Sequence, residues 1–307
     1  MAFQIKPHKS AAKEIRRVAL ERLQKAQKAL LLPAEDRARG IHQARKRIKE
    51  VRALVRLARE PMGKHYRKEN RRLRDINRTL SAMRDAGALI EVWDAMARQT
   101  PERFSAPEKQ AVRKQLVLRG QHGGTTVEES HNLLREALDE LAEAEEAVAS
   151  WPLDGKGFAL FAPGLRQSFD NGRSALAAVA QAPTDERLHD WRKQVKDHWY
   201  HTRVLSAVWP VAFKARAKLL KELSELLGQD QDLALLLAFM DQEPGLFGSA
   251  DQRTELIGLA NETRAWLQAS ASSLGKRLYA EAGNPLSKRW ARYWKIAKQE
   301  LRSTSLK

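Results

Sequence analysis

The sequence contains no cysteine. That single absence removes disulfides, thiolate metal sites and cysteine nucleophiles, and it fits a reducing compartment. Nowhere does the chain run for about 18 uninterrupted apolar residues, the length a bilayer span requires. Its opening, Met1-Ala2-Phe3-Gln4-Ile5-Lys6-Pro7-His8, has no apolar core of signal-peptide length. A soluble, cytoplasmic protein with no membrane partner is therefore expected. Alternating runs of β-branched and aromatic residues, the mark of strands, are missing as well. What fills the 307 residues is Ala, Leu, Arg, Lys, Glu and Gln, the strong helix formers.

An all-α protein follows. The periodicity predicts helices at about 10–31, 35–59, 64–84, 86–99, 107–120 and 127–149. A second series is predicted at 160–181, 185–208, 212–228, 231–242, 250–271 and 275–302. Breakers separate them, among them Pro33, Pro61-x-Gly63, Pro101, Gly123-Gly124, Pro183, Pro210 and Gly283-Asn284-Pro285. The stretch 150–164, with Trp151-Pro152 and the glycines that follow, is the one convincing internal boundary. It predicts two similar antiparallel helical bundles over residues 1–152 and 153–307.

Acidic residues are the next scarcity. Asp and Glu number 38 against 55 Lys and Arg, a formal net charge of +17. Both halves are basic: residues 1–150 hold 32 Lys/Arg and 21 acids, residues 151–307 hold 23 and 17. A balance this far from zero is a statement about partners, and it points to a polyanion.

The positive charge is patterned, and the pattern occurs twice. His42-x-x-Arg45-Lys46-x-x-Lys49, running on to Arg52 and Arg56, recurs 147 residues later as His189-x-x-Arg192-Lys193-x-x-Lys196, running on to Arg203. The same offset, without a gap, maps Arg67, Arg71 and Arg74 onto Lys214, Lys218 and Lys221, and Asp85 onto Asp232. One register serving two separated segments argues for a duplicated unit. On a helix these cations fall along one face, where like charges three and four apart cost a few tenths of a kcal/mol per pair. A solvated face with long stems covering apolar neighbours is the bland reading. Stripes on consecutive helices, repeated in the second half, favour a pair of facing basic grooves instead. Arg brings a bidentate fork for phosphate oxygens and Lys a point charge. With no Gly-rich phosphate loop present, side chains would hold the phosphates, which suits a repeating polymer better than a single nucleotide. His42 and His189 stand as further phosphate donors, or as core histidines. Asp85 and Asp232 stand as helix N-caps, or as acids that orient a groove cation.

The doubled His-x-x-Arg-Lys-x-x-Lys helices, with Leu227-Gly228-x-x-x-Asp232, resemble the conserved histidine α-helical domain family, CHAD. The resemblance extends over essentially the whole chain, including Arg166, Arg173 and the Trp290-x-x-Tyr293-Trp294 end. It implies two pseudo-symmetric four-helix bundles around a basic pore or groove that binds inorganic polyphosphate, and a place on polyphosphate granules. It carries the ligand-binding role onto His42, Arg45, Lys46, Lys49, Arg56, His189, Arg192, Lys193 and Lys196. Ser81 stands where the second copy has Gly228, Gln231 where the first has Arg84, and Trp199 and Tyr200 where the first has Arg52 and Ala53. The second groove is thereby expected to be weaker or more aromatic.

No catalytic constellation accompanies these stripes. His189, His198 and His201 sit at spacings a metal could use, yet Arg192, Lys196 and Arg203 would repel a cation, and no carboxylate pair completes the set. His122 and His131 lack an adjacent nucleophile and base. A binding protein without turnover, metal or cofactor is expected. The competing partner is nucleic acid, which shares the electrostatics but needs polar or aromatic groups at the bases. The first-half stripes are almost pure Lys and Arg, and the eight Trp read as packing residues.

Overall fold

The computed structural model describes residues 3–82, 88–99, 106–122 and 127–304. Among the described residues the chain forms twelve α-helices and no strand. They are α1 (Ala11–Leu30), α2 (Arg37–Leu57), α3 (Arg59–Met62), α4 (Lys64–Ala82), α5 (Ala88–Gln99), α6 (Ala106–His122) and α7 (Val127–Ala149), then α8 (Ala162–Gln181), α9 (Asp185–Val204), α10 (Pro210–Gln242), α11 (Ala250–Leu278) and α12 (Gly283–Thr304). Helix starts follow the polar residues that satisfy free backbone N–H groups. Ser10 accepts from the Lys13 N–H, and Thr184 from the Arg187 N–H with Asp185 and Glu186 in the first turn of α9. Ser249 and Gln252 cap α11 reciprocally. Gly63, at φ 51°, closes α3 in a backbone region that β-carbons disfavour.

Two predicted breaks are corrected. Segments 212–228 and 231–242 are one helix, α10, of 33 residues. Gln229 and Asp230 contain no breaker, and the buried stripe Leu220, Leu223, Leu227, Leu233, Leu236 and Met240 runs straight through them. Asp230 is itself buried, its carboxylate accepting from Arg264 Nε at 3.0 Å and Gln268 Nε2 at 2.8 Å on α11. Likewise α11 continues past 271 to Leu278, and the chain turns only at Tyr279–Ala282. Conversely, α9 stops at Val204 rather than 208, and Ser206–Val208 form a separate 3-10 turn.

α1, α2, α4 and α7 pack as one group, and α8, α9, α10 and α11 as another, with α12 against α8. The groups meet where α2 touches α8 and α9. Gly164 permits that approach, since a β-carbon there would fall 2.2 Å from the Leu57 carbonyl oxygen. A first core, from Phe3 to Ala297, therefore runs continuously through both halves. A second joins Trp93, Met96, Val112 and Leu116 of α5 and α6 to Leu236, Phe239, Met240 and Leu256 of α10 and α11. No helix among the described residues is long and apolar enough to cross a membrane.

Candidate anion-binding site

Three adjoining cavities collect seven of the doubled cationic positions, Arg45 from the first copy and six from the second. Arg45 of α2 and Arg192 of α9, equivalent under the 147-residue offset, line one cavity of about 610 Å³. Its other walls come from α5 (Val92, Met96), α10 (Gln231, Asp232) and α11 (Thr263, Leu267). Arg192, Gln229 and Asp232 also border a second cavity of about 310 Å³, which adds Lys196 and Lys221. That one shares Trp199 and Lys221 with a third, of about 580 Å³, which holds Arg203, Lys214 and Lys218.

The arginines at the first cavity are aimed by short bonds. Arg45 Nη1 donates to the Asn77 carbonyl of α4 at 3.0 Å, and Arg192 Nη1 donates to Gln231 Oε1 at 2.7 Å. Gly228 explains how Arg192 fits. A β-carbon at that position would meet its Nη2 at 2.8 Å, so the missing side chain on α10 makes the space the guanidinium occupies. Gln231 accepts from Arg192 in the place where the first half carries Arg84.

Burial sets the electrostatics. Desolvation pushes Arg52 down to about 10, with the neighbouring Arg56 charge acting in the same direction. Arg192 is lowered chiefly by burial, which the Asp232 charge opposes. Lys196 is pushed down to about 8, first by burial and then by the Arg192 charge, again against Asp232. Asp232 therefore acts on both Arg192 and Lys196 from inside α10. As a mid-helix residue it is not an N-cap, which corrects that reading. Its counterpart Asp85 lies outside the described residues.

The remaining positions divide. Arg56 pairs with Asp197 of α9 across the two helix groups. Arg203 reaches the fully buried Glu50 at 3.4 Å and lies over the Trp199 ring at 4.7 Å. Glu50 also meets Arg47 at 3.0 Å and Arg22 at 3.5 Å, so the single acid of segment 37–59 anchors three guanidinium groups. Arg67 and Arg71 border a separate cavity with Asp75 and the α7 carboxylates of Glu140 and Glu143, and it shares no residue with the other three. Arg74 is exposed, pairs with Asp75 at 3.1 Å, and is close enough to depress Arg52. His42 is exposed, His189 half-buried, and Lys46 and Lys49 half-buried. Lys193 is exposed and pairs with Asp190 at 2.9 Å. His198 and His201 are fully buried. His198 Nε2 accepts from Arg216 Nε at 3.1 Å, and His201 Nε2 lies 2.9 Å from the Ala53 carbonyl. Burial holds both well below the usual histidine range, His201 at about 4.

Charge counting alone missed Glu50, Asp197 and Gln229. The signal for Glu50 was present, since a lone acid amid nine cations on an amphipathic helix marks their anchor. Among the tryptophans, Trp93, Trp151, Trp191, Trp290 and Trp294 are buried, Trp199 lines the second and third cavities, and Trp209 and Trp266 are exposed.

The three cavities together bring seven Lys and Arg side chains near the carboxylates of Glu91, Glu225 and Asp232. No curated protein matches the chain. The family description of the CHAD domain matches residues 6–241, about three quarters of its length. On that match, and on the paired cationic helices it spans, the chain belongs to the CHAD domain family.

Proposed function

We propose that this protein binds inorganic polyphosphate, without turnover, in a basic groove between two pseudo-symmetric helical bundles. The observation that carries the reading is the meeting of Arg45 and Arg192 in one cavity, which shares walls with the cavity of Lys196 and Lys221 and, through it, with that of Lys214 and Lys218. One equivalent pair of cations, Arg45 and Arg192, lines a shared cavity, and the second copy supplies the cations of the two neighbouring ones. The duplication draws support from helix bounds: shifting α2 (37–57) by 147 gives 184–204, against 185–204 for α9. Shifting α4 (64–82) gives 211–229, inside α10.

Energetics point the same way. Holding Arg52, Arg192 and Lys196 charged in partly desolvated positions opposes folding. A phosphate chain entering the groove offsets that cost and releases its own condensed counterions. Family membership adds the expectation of a place on polyphosphate granules. Nucleic acid is the alternative ligand. It needs aromatic faces on which bases stack, and of the lining aromatics Phe3, Trp199 and Phe213 the two phenylalanines are buried.

The deciding experiment sets long-chain polyphosphate against single-stranded RNA and duplex DNA in competition at near-physiological salt. Polyphosphate should displace both; displacement of polyphosphate by either nucleic acid reverses the assignment. Reversing charge at Arg192 together with Lys196 removes two charge-assisted contacts of about 1.5 kcal/mol each, so affinity should fall by at least about 10-fold with helicity intact. Unchanged affinity refutes the groove.

A further inference from the structure

Lys196 is unlike the other cations of the groove. Lys193, one turn earlier on α9, and Lys221, across the cavity, are exposed and pair with Asp190 and Glu225, each within about 3 Å. Lys196 is half-buried, and its ammonium group makes no hydrogen bond or ion pair with any described residue. It faces a cavity of about 310 Å³, room for a ligand of several heavy atoms. The charged groups around that cavity are Arg192 of α9 and Lys221, Glu225 and Asp232 of α10. Arg192 and Lys221 border the same cavity as the Lys196 amine, with Glu225 and Asp232 beside them, so a phosphate group held by the two cations shares the space that Lys196 faces. Burial also lowers the proton affinity of Lys196 to about 8, so the free-amine fraction near neutral pH is on the order of 100-fold above that of an ordinary lysine. An amine freed in this way is the nucleophilic form.

We propose that Lys196 is a modification site, acylated by small acyl phosphates that dock on Arg192 and Lys221. The unprotonated Nζ attacks the carbonyl carbon and forms the C–N bond of an amide. The C–O bond to phosphate breaks, inorganic phosphate leaves with that electron pair, and the surplus amine proton passes to the departing phosphate or to water. No further co-reactant is needed. The product is neutral, so a groove cation is erased, and the modification opposes polyanion binding. The inference rests on the anion-binding reading of the groove.

The test treats the full chain with acetyl phosphate at pH 7.5 and follows each lysine by peptide mass spectrometry, with polyphosphate binding of the unmodified protein measured in parallel. Lys196 should acetylate at least about tenfold faster than Lys193, added polyphosphate should suppress it, and Lys196→Arg should remove that signal. With p-nitrophenyl acetate, which has no phosphate, the excess of Lys196 over Lys193 should shrink. Equal rates at Lys196 and Lys193 overturn the proposal, and an undiminished excess with the phosphate-free donor overturns the acyl phosphate assignment. Polyphosphate binding without selective acetylation defeats this inference alone. Selective acetylation without polyphosphate binding defeats the reading of function instead.

Discussion

Replacing Lys196 by Met separates stability from binding. The butyl stem of lysine and the methionine side chain have similar length, so packing is nearly preserved while the charge is lost. Burial moves Lys196 from 10.5 to about 8. At about 1.4 kcal/mol per tenfold change, the folded state disfavours the charged lysine by roughly 3 kcal/mol at neutral pH. Solvent at the open side of the cavity reduces this to about 1–2 kcal/mol. The sign follows from linkage: between pH 8 and 10.5 the unfolded chain binds the proton that the folded chain has shed, so wild-type stability rises with pH there. Lys196→Met should therefore melt a few degrees higher than wild type at pH 7, with the advantage shrinking above pH 8 and vanishing near 10.5. Its affinity for polyphosphate should fall several-fold at pH 7, where Lys196 is charged, and by less above pH 8. Thermal unfolding at pH 7 and 9.5, with binding titrations beside it, measures both. A variant less stable than wild type at pH 7 would refute the argument that this cation is held at a cost for the sake of a ligand.

Gly228→Ala should weaken polyphosphate binding about threefold or more with little change in melting temperature, because the new β-carbon displaces only the movable end of Arg192; parallel titration and melting separate the two effects. His201→Gln should flatten the acid limb of stability. The buried imidazole is neutral with its value at about 4, so up to about 3 kcal/mol is present above pH 6.5 and lost as pH falls towards 4, readable by denaturant unfolding at pH 7 and 5. Glu50→Gln should cost roughly 3 kcal/mol or more, since Arg22, Arg47 and Arg203 lose their shared carboxylate in a buried setting; an urea midpoint within error of wild type would contradict that.

The helical class and most helix limits were legible because periodicity, caps and breakers are local. The merger of two predicted helices into α10 was legible too, in the absence of a breaker at Gln229-Asp230 and the apolar stripe through them, but the bond of Asp230 to Arg264, 34 residues away, was not. The cationic positions were readable as a list, but charge spacing could not tell Arg192 and Lys196, which enter the shared cavities, from Arg67 and Arg71, which border another. Nor could it foresee that Arg56 and Arg203 would be committed to Asp197 and Glu50 across the packing of α2 on α9. Those assignments depend on which helix sits opposite, and the one-dimensional pattern is silent on that.

The α5 and α6 hairpin also has a bearing on biogenesis. Trp93 and Met96 leave the ribosome about 140 residues before Phe239 and Met240, the side chains that cover them. During that interval an apolar face made early stays bare, inviting chaperone capture or self-association. Severing the chain near residue 152 would leave each piece with an uncovered hydrophobic surface, so co-expressed fragments should reassemble better than either accumulates alone.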